Sequence, residues 1–300
     1  MKRITRPLLG VLLGLSLSVF GTSGCQRTTP EPTGGLSAGR LTVTVSIVPQ
    51  KYFVERVGGE RVDVNVMVLP GNNPATYEPR PEQLTALSES AAYLAIGVPF
   101  EDAWLEKIAA ANEGMLMVDT AAGIDRMPME ADHEHGDGPL DPHIWLSPEL
   151  AKIQARNIAN ALAKLDPAHD DEYRANLAAF IADIDELEAD IKETLAGASS
   201  KKFIVFHPAW GYFARDFELE MIPIEIGGQE PSAQELAHLV DKAQEEGIRV
   251  VFAQPEFSTQ DAETIAREIG GEVVLVSPLA EDWLSNLTRV ADTFAEVLNR

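Results

Sequence analysis

Residues 171–196 carry the longest hydrophobic period in the chain and constrain its fold most. Tyr173, Leu177, Phe180, Ile181, Ile184, Leu187, Ile191 and Leu195 recur at spacings of three and four with acidic residues between them, the pattern of a helix with one buried stripe. At 1.5 Å per residue such a helix spans roughly 40 Å, long enough to run from one small lobe to another. The lobe boundary is therefore placed there. A chain of 300 residues with 45% hydrophobic content supports two cores, at ~150 residues per domain.

On either side of that segment, short β-branched runs alternate with helical stretches. Strands are predicted at residues 41–48, 62–69, 92–96, 115–118, 203–206, 250–253 and 273–276, with helices at 50–57, 81–90 and 233–245. Strands alternating with helices imply parallel sheets covered on both faces. In such sheets ligands collect beyond the carboxyl ends of the strands, so residues just after each strand are the first place to look for chemistry.

The amino terminus reads as an export address. Lys2, Arg3 and Arg6 precede an apolar run from Leu8 to Phe20, and Gly21, Thr22, Ser23 and Gly24 lead directly into Cys25. That is the layout of a secretory signal, and the run is shorter than the ~20 apolar residues of a spanning helix. The small residues before Cys25 resemble a bacterial lipoprotein processing box, which implies residues 1–25 as signal peptide with Cys25 as the lipidation site and membrane anchor. Residues 26–40, rich in Thr, Pro, Gly and Ser, read as a flexible tether. The folded lobes are assigned to residues 41–167 and 198–300, with the bridging helix at 168–197.

Charge and cysteine content remove several function classes. Lys and Arg total 24 against 47 Asp and Glu, a formal net charge of -23, so a nucleic-acid partner is excluded by the global field. The acidic surface favours a monomer. With one cysteine in the chain, internal disulfides and multi-cysteine metal clusters are impossible, and His and carboxylate remain as metal ligands. The chain has no glycine-rich phosphate loop, G-x-S-x-G elbow, H-E-x-x-H pair or thiol nucleophile in its folded part.

Four of the six histidines fall at strand ends or in loops. His207 directly follows a predicted strand in HPAWGYF. His143 lies in DPHIWLSP, ahead of a helix opened by Ser147 and Pro148. His133 and His135 are interleaved with Asp132, Glu134, Asp137 and Asp141 in an acidic loop, which reads either as a solvated segment or as a metal-gathering one. Neutral imidazole is the commonest metal ligand and also an ordinary hydrogen-bonding group, and spacing alone does not choose between them. His169 and His238 read as ordinary surface or capping side chains.

Taken with these motifs, the chain from residue 41 to 300 resembles the metal-binding solute-binding lipoproteins of bacterial zinc and manganese ABC importers. The resemblance is carried by PGNNPATYEP (residues 70–79), DPHIWLSP (141–148), YRANL (173–177), HPAWGYF (207–213) and VVLVSPLAEDW (273–283). It implies an α/β fold of two small lobes with parallel sheets joined by one long rigid helix, with a ligand cleft between the lobes holding one metal ion. It further implies His143 and His207 as ligands, and Zn²⁺ as the metal, with Mn²⁺ or Fe²⁺ as alternatives. An inner-membrane ABC permease is the implied partner.

Two ligand positions of the family depart from the pattern: Ala75 stands at the first and Ser277 at the last, and neither side chain is a good zinc donor. The missing donors are expected from His133 or His135, or from a carboxylate at a neighbouring strand end, Glu225, Glu256 or Asp282. Alternatively, Glu78 or Gln254 helps to hold a larger, non-metal ligand. The function expected is capture of a metal ion for import, without covalent chemistry and so not as an enzyme. A metal buffer or chaperone is a second class, and a zinc hydrolase with an open coordination position a third.

Overall fold

The computed structural model describes residues 36–37, 39–129, 140–225, 232–256 and 259–300. The first half of the chain forms β1 (Leu36–Ser37), β2 (Arg40–Val45), α1 (Val48–Gly58), β3 (Val62–Val66), α2 (Pro81–Ser88), β4 (Ala92–Ala95), α3 (Pro99–Ala111) and β5 (Leu116–Asp119). Strands β3, β2, β4 and β5 lie side by side in parallel, and β1 adds a short antiparallel pairing to the start of β2. Two helices follow, α4 (Pro148–Leu165) and α5 (Asp170–Ala196).

The second half forms β6 (Lys202–Val205), α6 (Gly211–Asp216), β7 (Glu220–Pro223), α7 (Ala233–Glu245), β8 (Val250–Ala253), α8 (Gln260–Glu268), β9 (Glu272–Leu275) and α9 (Trp283–Leu298). Its sheet is wholly parallel in the order β7-β6-β8-β9. Two parallel α/β lobes with one long helix between them in sequence are what the alternation and the 171–196 period imply.

The side-chain alternation of a strand divides the second lobe. Phe203, Val205, Val250 and Phe252 face one way and join α5, α9 and the whole first lobe in a single core. Ile204, Val251 and Ala253 face the other way and pack with α7 and α8 in a separate one. The core is thus not partitioned at the lobe boundary, because one face of the second sheet is continuous with the first lobe.

Helix α5 buries Tyr173, Leu177, Phe180, Ile184, Leu187, Ile191 and Leu195, while Ile181, at the stripe's margin, is half-buried. Its ends are fastened to different lobes. Asn176 Nδ2 donates to the Val57 carbonyl at 3.0 Å and Arg61 pairs with Glu172 at 3.0 Å, both on the first lobe. At the far end Lys201 Nζ, beside β6, donates to the Leu195 carbonyl at 3.1 Å. Midway, Phe180 meets Trp283 edge-on at 6.3 Å between centroids. Lys152 on α4 gathers Glu149, Asp185 and Glu188 within 3.1 Å, locking α4 to α5.

Strand β7 is not among the predicted strands. Its four residues Glu220, Met221, Ile222 and Pro223 offer only one buried side chain, and it pairs on one edge only. A proline is tolerated at that position because an edge strand leaves one row of its backbone groups unpaired. The turn into β9 shows the opposite constraint: a Cβ on Gly271 would fall 1.9 Å from the Arg249 carbonyl oxygen, so only glycine allows that approach.

Candidate metal centre

The DPHIWLSP segment is held by its own side chains before any ligand is considered. Ser147 caps α4, its Oγ accepting from the Leu150 N–H at 3.2 Å with Pro148 in the first turn. Ile144–Leu146 form a single 3-10 turn, and His143 stands at its entrance. Asp141 Oδ1 accepts from both the backbone N–H of His143 at 2.9 Å and its ring Nδ1 at 2.7 Å. One carboxylate therefore fixes the peptide and the imidazole together. Asp141 and His143 are 3% and 7% exposed, and Tyr212 donates to the Asp141 carbonyl at 2.9 Å.

The segment is also stitched to the second lobe. Trp145 Nε1 donates to the Pro278 carbonyl and Trp283 Nε1 donates to the Trp145 carbonyl, each at 2.7 Å. A histidine encoded in the first half is thus positioned by residues of the last thirty. Gly211, opening α6, has Asp141 Oδ2 at 3.1 Å from where a Cβ would sit, so a bare backbone makes room for that carboxylate.

His207 follows β6 by two residues. Gln254, fully buried beyond the end of β8, accepts from the His207 N–H at 3.3 Å and donates to its carbonyl at 2.8 Å. Glu225, two residues beyond β7, brings Oε2 to 2.5 Å from His207 Nδ1. Burial pushes the His207 ring below the ordinary histidine pKa, against the opposing pull of the Glu225 hydrogen bond, and the neighbouring His143 ring adds to the lowering.

The two rings meet at their remaining nitrogens: His207 Nε2 lies 3.3 Å from His143 Nε2, with the ring planes at 74°. With Nδ1 of each ring facing a carboxylate, the proton belongs on Nδ1 and the Nε2 lone pairs converge. Two tetrahedral Zn–N bonds of 2.0–2.1 Å put their nitrogens about 3.3–3.4 Å apart, so the spacing fits one ion bound by both rings.

The other expected donors are distributed differently. Glu225 is spent on His207 Nδ1 rather than presented alongside the Nε2 atoms. Asp282 caps α9, its Oδ1 accepting from the Ser285 N–H at 3.2 Å. Glu256 Oε1 accepts from Ser277 Oγ at 2.7 Å, and burial pushes its carboxyl above the usual carboxylate range. Glu78 and Ala75 are exposed, the Ala75 N–H bonding Asn73 Oδ1 at 2.8 Å. Gln254 serves the His207 backbone. Among the described residues, no set of three or more His, Cys, Asp or Glu side chains is arranged to hold a metal ion. His133, His135 and Cys25 lie outside the described residues.

The residue that sequence reasoning passed over is Asp141, which it counted only with the acidic loop. The signal was present in the D-x-H spacing, since an Asp side chain readily bonds the backbone N–H two residues on.

Two parallel α/β lobes sharing a long helix, with two imidazoles converging at their Nε2 atoms, define a two-lobed metal-binding solute receptor. The family described as "Zinc-uptake complex component A periplasmic" matches residues 43–297, and the chain belongs to that family. It is 27% identical over 272 residues to the high-affinity zinc uptake system protein ZnuA of Bacillus subtilis, covering 86% of this chain and 84% of that one. A zinc-bound crystal structure of a ZnuA deletion mutant superposes with a TM-score of 0.83 at 50% identity, over 87% of this chain and 99% of that chain. The Mn²⁺ complex of the solute-binding protein FpvC from Pseudomonas aeruginosa gives 0.75 at 26% identity, over 86% and 98%. The family is one of transport proteins that act outside the cytoplasm.

Proposed function

We propose that this protein captures Zn²⁺ through His143 and His207 and delivers it to an inner-membrane ABC permease, with Mn²⁺ as a weaker alternative cargo. The observation that carries the reading is the 3.3 Å separation of the two Nε2 atoms, each ring backed by its own carboxylate. Borderline-soft imidazole donors favour Zn²⁺ over the oxygen-preferring Mn²⁺. A further donor comes from His133 or His135 in the acidic loop, which takes the place of the imidazole absent at Ala75. Cys25, lipidated after export, tethers the receptor to the membrane through residues 26–40. It acts as a monomer and carries out no covalent chemistry.

The membership in a zinc-uptake family supports this cargo and partner, and the zinc-bound relative at 50% identity supports the metal. No helix among the described residues is long and apolar enough to cross a membrane. The core shared by both lobes and α5 supports capture with little lobe closure. The decisive experiment is competitive titration of the chain from Cys25 onward against Zn²⁺, Mn²⁺ and Fe²⁺, with metal content measured. One zinc at nanomolar affinity or tighter is the expected result; no bound metal, or millimolar affinity, overturns the reading.

A further inference from the structure

Beyond the carboxyl ends of the second sheet, each strand presents one polar side chain on the same side: Glu225 after β7, His207 after β6, Glu256 after β8 and Ser277 after β9. Glu256 is the member of this row whose chemistry is unspent. Ser277 Oγ donates to its Oε1 at 2.7 Å, whereas its Oε2 is buried without a hydrogen-bond partner. A carboxylate oxygen in that condition loses its hydration with nothing in return, and such a group in a native protein calls for an ion or ligand to explain it. The other buried side-chain atoms in this state among the described residues, Gln154 Oε1 and Trp210 Nε1, are neutral.

Glu256 is linked to both histidine segments through its neighbours. Gln254, two residues earlier, grips the His207 backbone from both sides. Pro278, next to the Ser277 that holds Glu256, takes the indole hydrogen bond of Trp145, two residues after His143. Glu256 thus follows by two residues the glutamine that grips His207, and its Ser277 partner precedes the proline that holds Trp145.

We propose that Glu256 is a metal ligand, its Oε2 supplying a third protein donor to the divalent cation held by His143 and His207 while Ser277 retains Oε1. The inference rests on reading the imidazole pair as a metal site. In the structure the carboxylate leans on Ser277 and is not gathered into a three-donor set. Loading turns this one side chain, and Oε2 has no hydrogen bond to surrender. A directly bonded carboxylate would add to the negative charge that Asp141 and Glu225 already set behind the rings.

The test is zinc titration of the full exported chain, with zinc alone as the probe, in the wild type and Glu256→Gln. Glutamine keeps the shape and an acceptor for Ser277 but removes the anionic donor. Glu256→Gln is expected to weaken zinc binding about a hundredfold, a ligand's share of a typical site, and to change the visible spectrum of the Co²⁺-substituted protein. Wild-type affinity with a wild-type cobalt spectrum in Glu256→Gln overturns the inference and leaves the imidazole pair standing. A wild-type chain that binds no zinc overturns the reading beneath it instead. A crystal structure of the zinc-loaded wild type decides the same point without any variant. Glu256 Oε2 about 2.0–2.2 Å from zinc is expected, and Oε2 without a metal contact refutes it.

Discussion

The Nε2 atoms of His143 and His207 face each other at 3.3 Å although the residues are 64 apart in the chain. Two lone pairs aimed at one point repel unless a proton or a cation lies between them, so the pocket is built at a standing electrostatic cost that a metal ion relieves. Changing either residue to Ala is expected to cost several kcal/mol of zinc binding, since whole sites of this kind reach about 10–16 kcal/mol. Competitive titration with a chelator checks this. A double variant that still binds one zinc at wild-type affinity would place the site elsewhere.

The carboxylates behind the rings carry a separate prediction. Asp141 and Glu225 do not present their oxygens with the Nε2 pair, but they set the tautomer and raise the basicity of the rings. Asp141→Asn and Glu225→Gln are each expected to weaken zinc binding about 10–100-fold without loss of stoichiometry. Gly211→Ala is expected to act in the same direction, because the added methyl presses on Asp141 Oδ2, 3.1 Å from the Cβ position. Wild-type affinity in all three would mean the rings are oriented by packing alone.

Acidification should act through His207. Burial lowers the pKa of the folded ring below its ordinary 6.5, so the unfolded chain takes up the proton first as pH falls. The ring's contribution to stability is therefore present above about pH 6.5 and is lost progressively as pH falls toward the lowered folded value. Zinc binding should hold down to a lower pH than for a free imidazole and then fall steeply as protons compete for the same Nε2 atoms. Denaturant midpoints and zinc affinity measured from pH 7.5 to 5 check both limbs. The stability limb should vanish in His207→Gln.

Much of this architecture was legible because its periods are strong. The 171–196 stripe needs only the spacing of its apolar residues, and seven of the eight read there are buried on the helix, with Ile181 the one left half-buried. Strand β7 escaped because an edge strand of four residues with a terminal proline carries almost no period. His143 and His207 stood out by their places, one before a helix cap and one after a strand. Their convergence was not legible, because it depends on Trp145 and Trp283 bonding across to the other lobe. Glu225 illustrates the limit most clearly: its position beyond a strand end marks it as a site residue, but only geometry shows that it touches Nδ1. Asp282 carried the readable signature of a helix cap, an Asp ahead of an apolar run, and its nearness to the 277–279 segment obscured it.

Trp283 tests whether the two lobes position the site jointly. Its ring packs edge-on against Phe53 at 5.0 Å and Phe180 at 6.3 Å, and its N–H holds the Trp145 carbonyl at 2.7 Å. Trp283→Ala is expected to destabilise the fold by about 3–5 kcal/mol. Trp283→Phe keeps most of the packing and leaves the Trp145 carbonyl without its donor, about 1–3 kcal/mol. If that bond holds the His143 loop in place, the Phe variant should also bind zinc more weakly while remaining folded. Unchanged zinc affinity in a folded Trp283→Phe would show that the loop is held by Asp141 and Pro278 without it.

Ala75→His asks whether the loop after β3 still addresses the site. Ala75 is exposed, and its N–H is already held by Asn73 Oδ1 at 2.8 Å, so a larger side chain there disturbs no packing. The loop opens beyond the carboxyl end of β3, the side of an open α/β sheet on which ligands collect. An imidazole at this position should therefore tighten zinc binding, by about tenfold or more for one added donor, with stability in the absence of metal unchanged. Zinc titration beside thermal unfolding separates the two effects. A folded Ala75→His protein with unaltered affinity would mean that the donor position opposite His143 and His207 is already filled by another group of this chain, and pairing the substitution with deletion of residues 132–138 would then identify whether the acidic loop provides it.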